Sequence, residues 1–133
     1  MIVIDPRRTE TADLADYWLQ VKPGTDAFLL AALTAVLIKE NLLDTGWLDL
    51  NATGVQETKD VFRSVPIKEY AERSGVSLDQ LYEVARRIGR AKSVSTYEDL
   101  GIEMGPHSTL ISYLHRAVSV SYTHLTLPTT PYV

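Results

Sequence analysis

Short apolar runs and polar turns alternate at the start of the chain in the order strand, helix, strand, helix. Residues 2–4 are consecutive β-branched residues, which predicts a strand buried on both faces inside a parallel sheet. A helical turn or two is expected over 9–15, and a second strand over 17–21, ended by Pro23 and Gly24. This order predicts an α/β fold with parallel strands.

A long apolar segment follows the second strand. Residues 27–38 are apolar except for Thr34, and their spacing predicts a buried helix that ends near Glu40. Thr25 is suited to cap this helix, and Asp26 places a negative charge in its first turn. The run is shorter than the ~20 residues that a membrane span requires. We therefore expect no membrane contact by this segment.

Helices dominate the prediction for the middle of the chain. The turn-forming residues in 41–54 indicate a connector that contains one short helix. Another helix is predicted to begin at Gln56. A helix over 67–73 comes next, and a capping box of Ser77 and Gln80 opens the helix after it. The apolar positions expected to face inward on that last helix are Leu81, Val84 and Ile88.

The last part of the natural pattern is less regular. Residues 93–97 are strand-like, and residues 100–104 predict a loop. A final helix is capped by Ser108 or Thr109. This helix contains Leu110, Leu114 and Val118.

The character of the sequence changes after Val118. Residues 119–133 are rich in threonine and proline and show no helical period. The nine residues from Ser121 to Thr129 read as the translation of a sequencing adapter. We therefore expect residues 1–118 to be the natural part of the chain and residues 119–133 to be a non-native tail. A natural C-terminal strand broken by prolines is the alternative.

Composition limits the classes of function. With 133 residues, 45% of them hydrophobic and 23% charged, the chain is expected to be one soluble domain or a piece of one. A net charge of −4 argues against a nucleic-acid partner. The chain has no cysteine, which excludes thiolate-bound metals and iron–sulfur clusters within it. The three histidines are interpreted as solvated or capping, so no metal site is assigned: His107, His115 and His124.

Two polar turns carry the candidate chemistry. Asp5-Pro-Arg-Arg-Thr9 follows the first predicted strand, and Pro23-Gly-Thr-Asp26 follows the second. Open α/β sheets bind nucleotides at the carboxyl ends of their strands, and a helix N-terminus attracts anions. The two turns therefore predict half of a dinucleotide site.

These turns and several later motifs, in this order and at these separations, resemble an internal segment of the molybdopterin oxidoreductases. That family contains formate dehydrogenases, periplasmic nitrate reductases and dimethyl sulfoxide reductases. The resemblance extends from Met1 to about Ala117. Besides the two turns, the motifs that carry it are Ala15-Asp16, Glu40-Asn-Leu-Leu-Asp44, Ser74-Gly-Val-Ser77, Ala85-Arg-Arg87 and Leu100-Gly101.

The resemblance implies a partial Rossmann-like parallel sheet with flanking helices, as an incomplete domain that binds one arm of a bis-molybdopterin guanine dinucleotide holding Mo or W. It makes Asp5 the contact that selects guanine or ribose, and Asp26 an acceptor for donors of the base. Met104 stands where nitrate reductases and some formate dehydrogenases have glutamine, so we expect a packing role for it. The implied cofactor-binding residues are Asp5, Pro6, Arg7, Arg8, Thr9, Gly24, Thr25, Asp26, Leu100, Gly101 and Met104.

The chemistry itself is expected to lie outside this chain. The family's metal is held by a cysteine, selenocysteine, serine or aspartate placed elsewhere, and any iron–sulfur cluster is expected in a preceding part of the parent protein. We therefore assign no catalytic residue, and we expect the rest of the parent chain to be the partner of this segment. The small-molecule substrate and the compartment, cytoplasmic or periplasmic, stay open.

Two other functions are compatible with parts of the pattern. Residues 67–90 have the outline of a DNA-binding helix-turn-helix, but its early base-reading positions include Asp79 and its arginines come late in the second helix. A small stand-alone nucleotide-binding domain is the second alternative. Only about three strands are readable, fewer than a parallel sheet usually has.

Overall fold

A small parallel sheet and eight helices build residues 1–120, the part of the chain that the computed structural model describes. Most of the described residues are helical, and the α/β class is confirmed in this coarse form. In chain order the elements are β1 (Ile2–Ile4), α1 (Glu10–Asp13), β2 (Tyr17–Leu19), α2 (Asp26–Lys39), α3 (Thr45–Asn51), α4 (Val55–Arg63), α5 (Ile67–Ser74), α6 (Leu78–Gly89), α7 (Leu100–Glu103) and α8 (Ser108–Val120).

Strands β1 and β2 pair in parallel, with Ile2 opposite Tyr17 and Ile4 opposite Leu19. Burial of β1 on both faces was a wrong prediction. The first two residues of β1 are half-buried and Ile4 is 38% exposed, because β2 is its only neighbouring strand within residues 1–120. Strand β2 also ends earlier than predicted, since the chain turns after Leu19 and Val21 enters the core.

Helix α2 lies at the centre of the fold, as its apolar sequence predicts. Residues 29–38 are all buried, including Thr34, whose hydroxyl donates to the Leu30 carbonyl at 2.8 Å. The helix packs against α4, α5, α6 and α8, so it has no solvent-facing side over this stretch. No helix within residues 1–120 is long and apolar enough to cross a membrane.

Helix α6 is fixed at both ends by polar contacts. At its start the Ser77 hydroxyl accepts from the Gln80 amide at 3.2 Å, as predicted, but the Gln80 side chain donates to the Trp18 carbonyl instead of completing a capping box. Near its end Arg86 donates to both carboxylate oxygens of Glu40, at 2.7 and 2.9 Å. This bidentate contact lowers the pKa of the Glu40 carboxyl and ties α6 to the C-terminal end of α2.

Two local predictions for the last part of the chain are wrong. Residues 93–97 form no strand, and the predicted loop at 100–104 contains helix α7, which begins because the Asp99 carboxylate accepts from the Leu100 amide. Helix α8 contains Leu110, Leu114 and Val118, as predicted; Leu114 and Val118 are buried together with Ile111, and Leu110 is 48% exposed. Helix α8 continues past the expected boundary at Val118, and the rest of the predicted adapter-like tail lies outside the described residues.

Candidate functional site

The first turn, residues 5–9, is a compact loop at the carboxyl end of β1. One carboxylate oxygen of Asp5 accepts from the Arg7 amide at 2.7 Å, which closes the turn. Thr9 caps α1 by accepting from the Ala12 amide at 3.2 Å. The second carboxylate oxygen of Asp5 receives no hydrogen bond from residues 1–120 and is available to a ligand.

Side chains on and just after the neighbouring strand β2 hold the backbone of the first turn. The indole N–H of Trp18 donates to the Asp5 carbonyl at 2.9 Å, and the side-chain amide of Gln20 donates to the Pro6 carbonyl at 3.1 Å. The guanidinium of Arg8 lies over the Trp18 ring, 5.6 Å from the ring centre, in a cation–π contact. Arg8 also forms an ion pair with Asp13. Arg7 forms no ion pair within the described residues, so it is the cation of this turn that a ligand can use.

The second turn, residues 22–26, follows β2 at the same edge of the sheet. The Thr25 amide donates to the Lys22 carbonyl at 3.1 Å, and Gly24 has a φ of +77°. With Pro23 before it, this geometry is a type II turn, in which the third position requires a positive φ and therefore favours glycine. The Thr25 hydroxyl donates to the Lys22 carbonyl at 2.6 Å, so the predicted side-chain cap on α2 is wrong.

Asp26 is a half-buried carboxyl at the first position of α2. It forms no ion pair within residues 1–120, and burial raises its pKa above the ordinary value for aspartate. A carboxyl that is partly desolvated without a cation costs stability. Perturbed carboxyls of this kind are concentrated at functional sites.

The third candidate group is Leu100, Gly101 and Met104, and the chain just after it reaches the second turn at Pro106. A Cβ added at Gly24 would lie 3.4 Å from Cγ of Pro106, so the chain just after α7 touches this turn. Leu100 is 62% exposed and Met104 is 79% exposed. The structure thus brings the second turn and the α7 region together. No hydrogen bond among the described residues joins the first turn directly to the second, and Gln20 is the link between them.

Trp18 and Gln20 are site-building residues that the sequence analysis missed. The predicted strand over 17–21 carried the signal. Alternate residues of a strand lie on one side of it, so Trp18 and Gln20 were expected to share a side just before the second turn. The helix pair α5–α6 confirms the predicted helix-turn-helix outline. However, Gln80 and Arg86 are engaged with Trp18 and Glu40, so these side chains serve packing and not base recognition.

Replacing Asp26 with asparagine is expected to raise the free energy of unfolding at pH 7 by up to ~1 kcal/mol, allowing for solvent screening. Because the folded-state pKa of Asp26 is raised, its stabilising proton is present at low pH and is lost as the pH rises through that pKa. The wild-type chain should therefore lose this contribution with rising pH, and Asp26→Asn should not. Urea unfolding of both chains, measured at pH values below and above that pKa, tests the prediction. Asp49→Asn, at an exposed aspartate, is the control. A clear loss of stability in Asp26→Asn would contradict the prediction.

Known proteins with similar sequences are subunits of redox enzymes, and a hydratase has a similar solved structure. No protein-family model matches the chain. The alpha subunit of a formate dehydrogenase from Methanococcus maripaludis is 34% identical over 102 residues, which is 77% of this chain and 15% of that protein. The catalytic subunit of the assimilatory nitrate reductase of Bacillus subtilis is 33% identical over 108 residues, 81% of this chain and 15% of that protein.

A solved structure of a known enzyme shares the fold of this chain. Acetylene hydratase from Pelobacter acetylenicus superposes with a TM-score of 0.85 over 90% of this chain, at 28% identity. The match covers 16% of the acetylene hydratase chain. The chain thus spans about 15% of the length of the curated relatives that it matches.

Proposed function

Because the chain belongs to the molybdopterin oxidoreductases, we propose that residues 1–118 are a segment of a molybdenum- or tungsten-dependent oxidoreductase and bind one arm of its bis-molybdopterin guanine dinucleotide. The observation that carries the proposal is the placement of two polar turns after two paired parallel strands, at one edge of the sheet. Nucleotides bind at such edges in open α/β sheets. We also propose that β1 and β2 belong to a larger Rossmann-like sheet.

The donors and acceptors of the two turns fit a guanine nucleotide. Guanine offers N–H donors that a carboxylate accepts, and both Asp5 and Asp26 present carboxylates with accepting capacity left. Arg7 suits a phosphate, because its guanidinium forms no ion pair within residues 1–120. The type II turn at Gly24 lets the backbone approach a ligand closely.

The α7 region fits the pterin end of the same cofactor. Leu100 and Met104 leave large apolar side chains exposed in the segment that reaches the second turn at Pro106, and a flat heterocycle is a suitable cover for them. Gly101 lies between them, with no atom within 4 Å of the Cβ it lacks, so the surface there is open. The bound group would supply the redox or group-transfer chemistry, and this segment would bind and orient it.

The remaining functions of the enzyme are assigned to the rest of the parent chain, which is the partner of this segment. Within residues 1–120, no three histidine, aspartate or glutamate side chains are grouped so that they could hold a metal ion. The metal ligand, any iron–sulfur cluster and the residues that contact substrate are proposed to lie elsewhere in the protein, as the resemblance implies.

Guanosine diphosphate is the probe that tests the nucleotide site. Titrated into the 133-residue chain, it should shift the amide resonances of Arg7, Thr9, Thr25 and Asp26, with a dissociation constant on the order of millimolar. Adenosine diphosphate should bind about tenfold more weakly, because adenine lacks the adjacent N1–H and N2–H donors with which guanine can contact a carboxylate. Asp5→Asn and Asp26→Asn should each reduce this preference.

The exposed Asp49 lies on α3 and provides a matched control. Asp49→Asn should leave both dissociation constants unchanged. If guanosine diphosphate at millimolar concentration shifts neither turn, or shifts them no more than adenosine diphosphate does, the proposed site is wrong.

A further inference from the structure

The motif Ser74-Gly-Val-Ser77 forms the connection between α5 and α6, and this connection contacts the second turn. The backbone amide of Lys22 donates to the Ser74 carbonyl at 2.8 Å. The residues next to this contact, Val21 and Val76, are buried in one apolar cluster. The start of the second turn is therefore fixed to the end of α5.

Lys22 also completes the end of α5. A helix leaves its last four carbonyls without partners inside the helix, and a positive charge is favourable beside them. The amide of Lys22 serves the Ser74 carbonyl, and its ammonium donates to the Glu72 carbonyl at 3.5 Å. The side chain of Lys22 thus lies across the C-terminal end of α5.

Gly75 leaves room for this side chain. It ends α5 with a φ of +82°, a backbone conformation that favours glycine. A Cβ added at Gly75 would lie 3.0 Å from both Cγ and Cε of Lys22 and 3.3 Å from Cδ, closer than ordinary van der Waals contact. The stem of Lys22 therefore packs directly on the backbone of Gly75, and a side chain at this position would push the stem away.

Lys22 also closes the second turn. Its carbonyl accepts from the Thr25 amide at 3.1 Å and from the Thr25 hydroxyl at 2.6 Å. The half-buried carboxyl of Asp26 comes directly after Thr25. Lys22 is thus hydrogen-bonded on one side to α5 and on the other to the part of the turn that presents the carboxyl.

Helix α6 supports the first turn through β2. The side-chain amide of Gln80 donates to the Trp18 carbonyl at 2.8 Å, and the Trp18 indole donates to the Asp5 carbonyl at 2.9 Å. Hydrogen bonds therefore join the α5–α6 pair to both turns.

We propose that Lys22 and Gly75 are positioning residues through which the α5–α6 pair holds the second turn in its nucleotide-binding shape. Neither has to touch the nucleotide, because the ammonium of Lys22 is engaged by α5 and Gly75 has no side chain. The proposal rests on the proposed function in taking the second turn as part of the nucleotide site. The helix-turn-helix outline then serves to support that site.

Gly75→Ala tests this role, and Gly54→Ala is the matched control. Gly54 lies at the start of α4 with a φ of +70° and has no atom within 4 Å of the Cβ it lacks. Both substitutions therefore strain the backbone, but only Gly75→Ala displaces Lys22. In the 133-residue chain without nucleotide, the amide resonances of Thr25 and Asp26 should shift in Gly75→Ala and stay in place in Gly54→Ala. Guanosine diphosphate should bind Gly75→Ala about three- to tenfold more weakly, and Gly54→Ala within about twofold of the wild type.

Removal of the Lys22 stem should abolish the effect of Gly75→Ala. In a chain that carries Lys22→Ala, Gly75→Ala should weaken binding no more than Gly54→Ala does, a non-additivity that a merely structural role would not produce. Lys22→Met, which keeps a side chain of similar length, should retain more affinity than Lys22→Ala. Equal affinities of these two lysine variants overturn the proposal, also if Gly75→Ala fails to fold.

The resonances measured without nucleotide separate this proposal from the proposed function. Unshifted resonances of Thr25 and Asp26 in a folded Gly75→Ala chain overturn the positioning role, whether or not guanosine diphosphate binds. Equal shifts in Gly54→Ala overturn it as well. If the wild-type chain does not bind guanosine diphosphate, the proposed nucleotide site is wrong, and a shift confined to Gly75→Ala still shows that Gly75 positions the turn.

Discussion

Replacing Leu37 with alanine is expected to lower the free energy of unfolding by about 2–5 kcal/mol. Leu37 is fully buried in α2, in the apolar core that this helix shares with α5 and α6. Truncation removes buried apolar surface and leaves a cavity that surrounding side chains cannot fill completely. Urea unfolding followed by circular dichroism should show a lower midpoint with an unchanged slope.

Leu50 provides the matched control for this substitution. It is also a helical leucine, on α3, but 87% of it is exposed. Leu50→Ala should change the free energy of unfolding by no more than about 0.5 kcal/mol. Equal effects of the two substitutions would show that α2 is not the centre of the core.

Replacing Gly89 with alanine is expected to destabilise the chain by about 1–3 kcal/mol. The added Cβ would lie 2.6 Å from Cβ of Leu42, and neither atom can rotate away because both are attached directly to the backbone. This overlap outweighs the ~1 kcal/mol that alanine normally gains over glycine in a helix. Urea unfolding measures the net effect.

Gly46 on α3 separates helix propensity from this close contact. The nearest atom to a Cβ added there is an oxygen of Asp44 at 3.7 Å, an ordinary contact. Gly46→Ala should therefore stabilise the chain by up to ~1 kcal/mol. A Gly89→Ala chain as stable as Gly46→Ala would mean that α6 does not approach Leu42 closely.

The sequence was most informative where the pattern is local. The apolar run of α2 predicted its burial, and the polar turns after β1 and β2 were found from the change in character at Asp5 and Pro23. Proline and glycine predicted that the second strand ends in a turn, which the structure shows to be of type II. The parallel pairing was confirmed, whereas the assignment of these turns to a cofactor stays a prediction.

The wrong predictions depend on contacts that the apolar pattern of the sequence does not reveal. Residues 93–97 have strand-like composition but no partner strand within residues 1–120, so they form no regular element; Thr96 is hydrogen-bonded to Ser119 of α8. The start of α7 depends on a cap by Asp99, which the apolar pattern does not reveal. Burial on β1 depends on how many strands join the sheet.

Contacts of this kind also hid one polar pair outside the two turns. Asp5 and Asp26 were found from sequence because each directly follows a predicted strand or turn. The contact of Glu98 with His115 joins residues on separate elements, and nothing in the spacing of the two residues signals it. Such pairs become visible only when packing has placed α8.

The central position of α2 has a consequence for synthesis on the ribosome. Helix α8, one of the elements that cover α2, ends at Val120, whereas α2 itself ends at Lys39. At roughly 5–20 residues per second, the nascent chain needs about 4 to 16 s to produce the intervening stretch. During that interval α2 has no complete cover, and it is expected to be a principal chaperone-binding segment of the growing polypeptide.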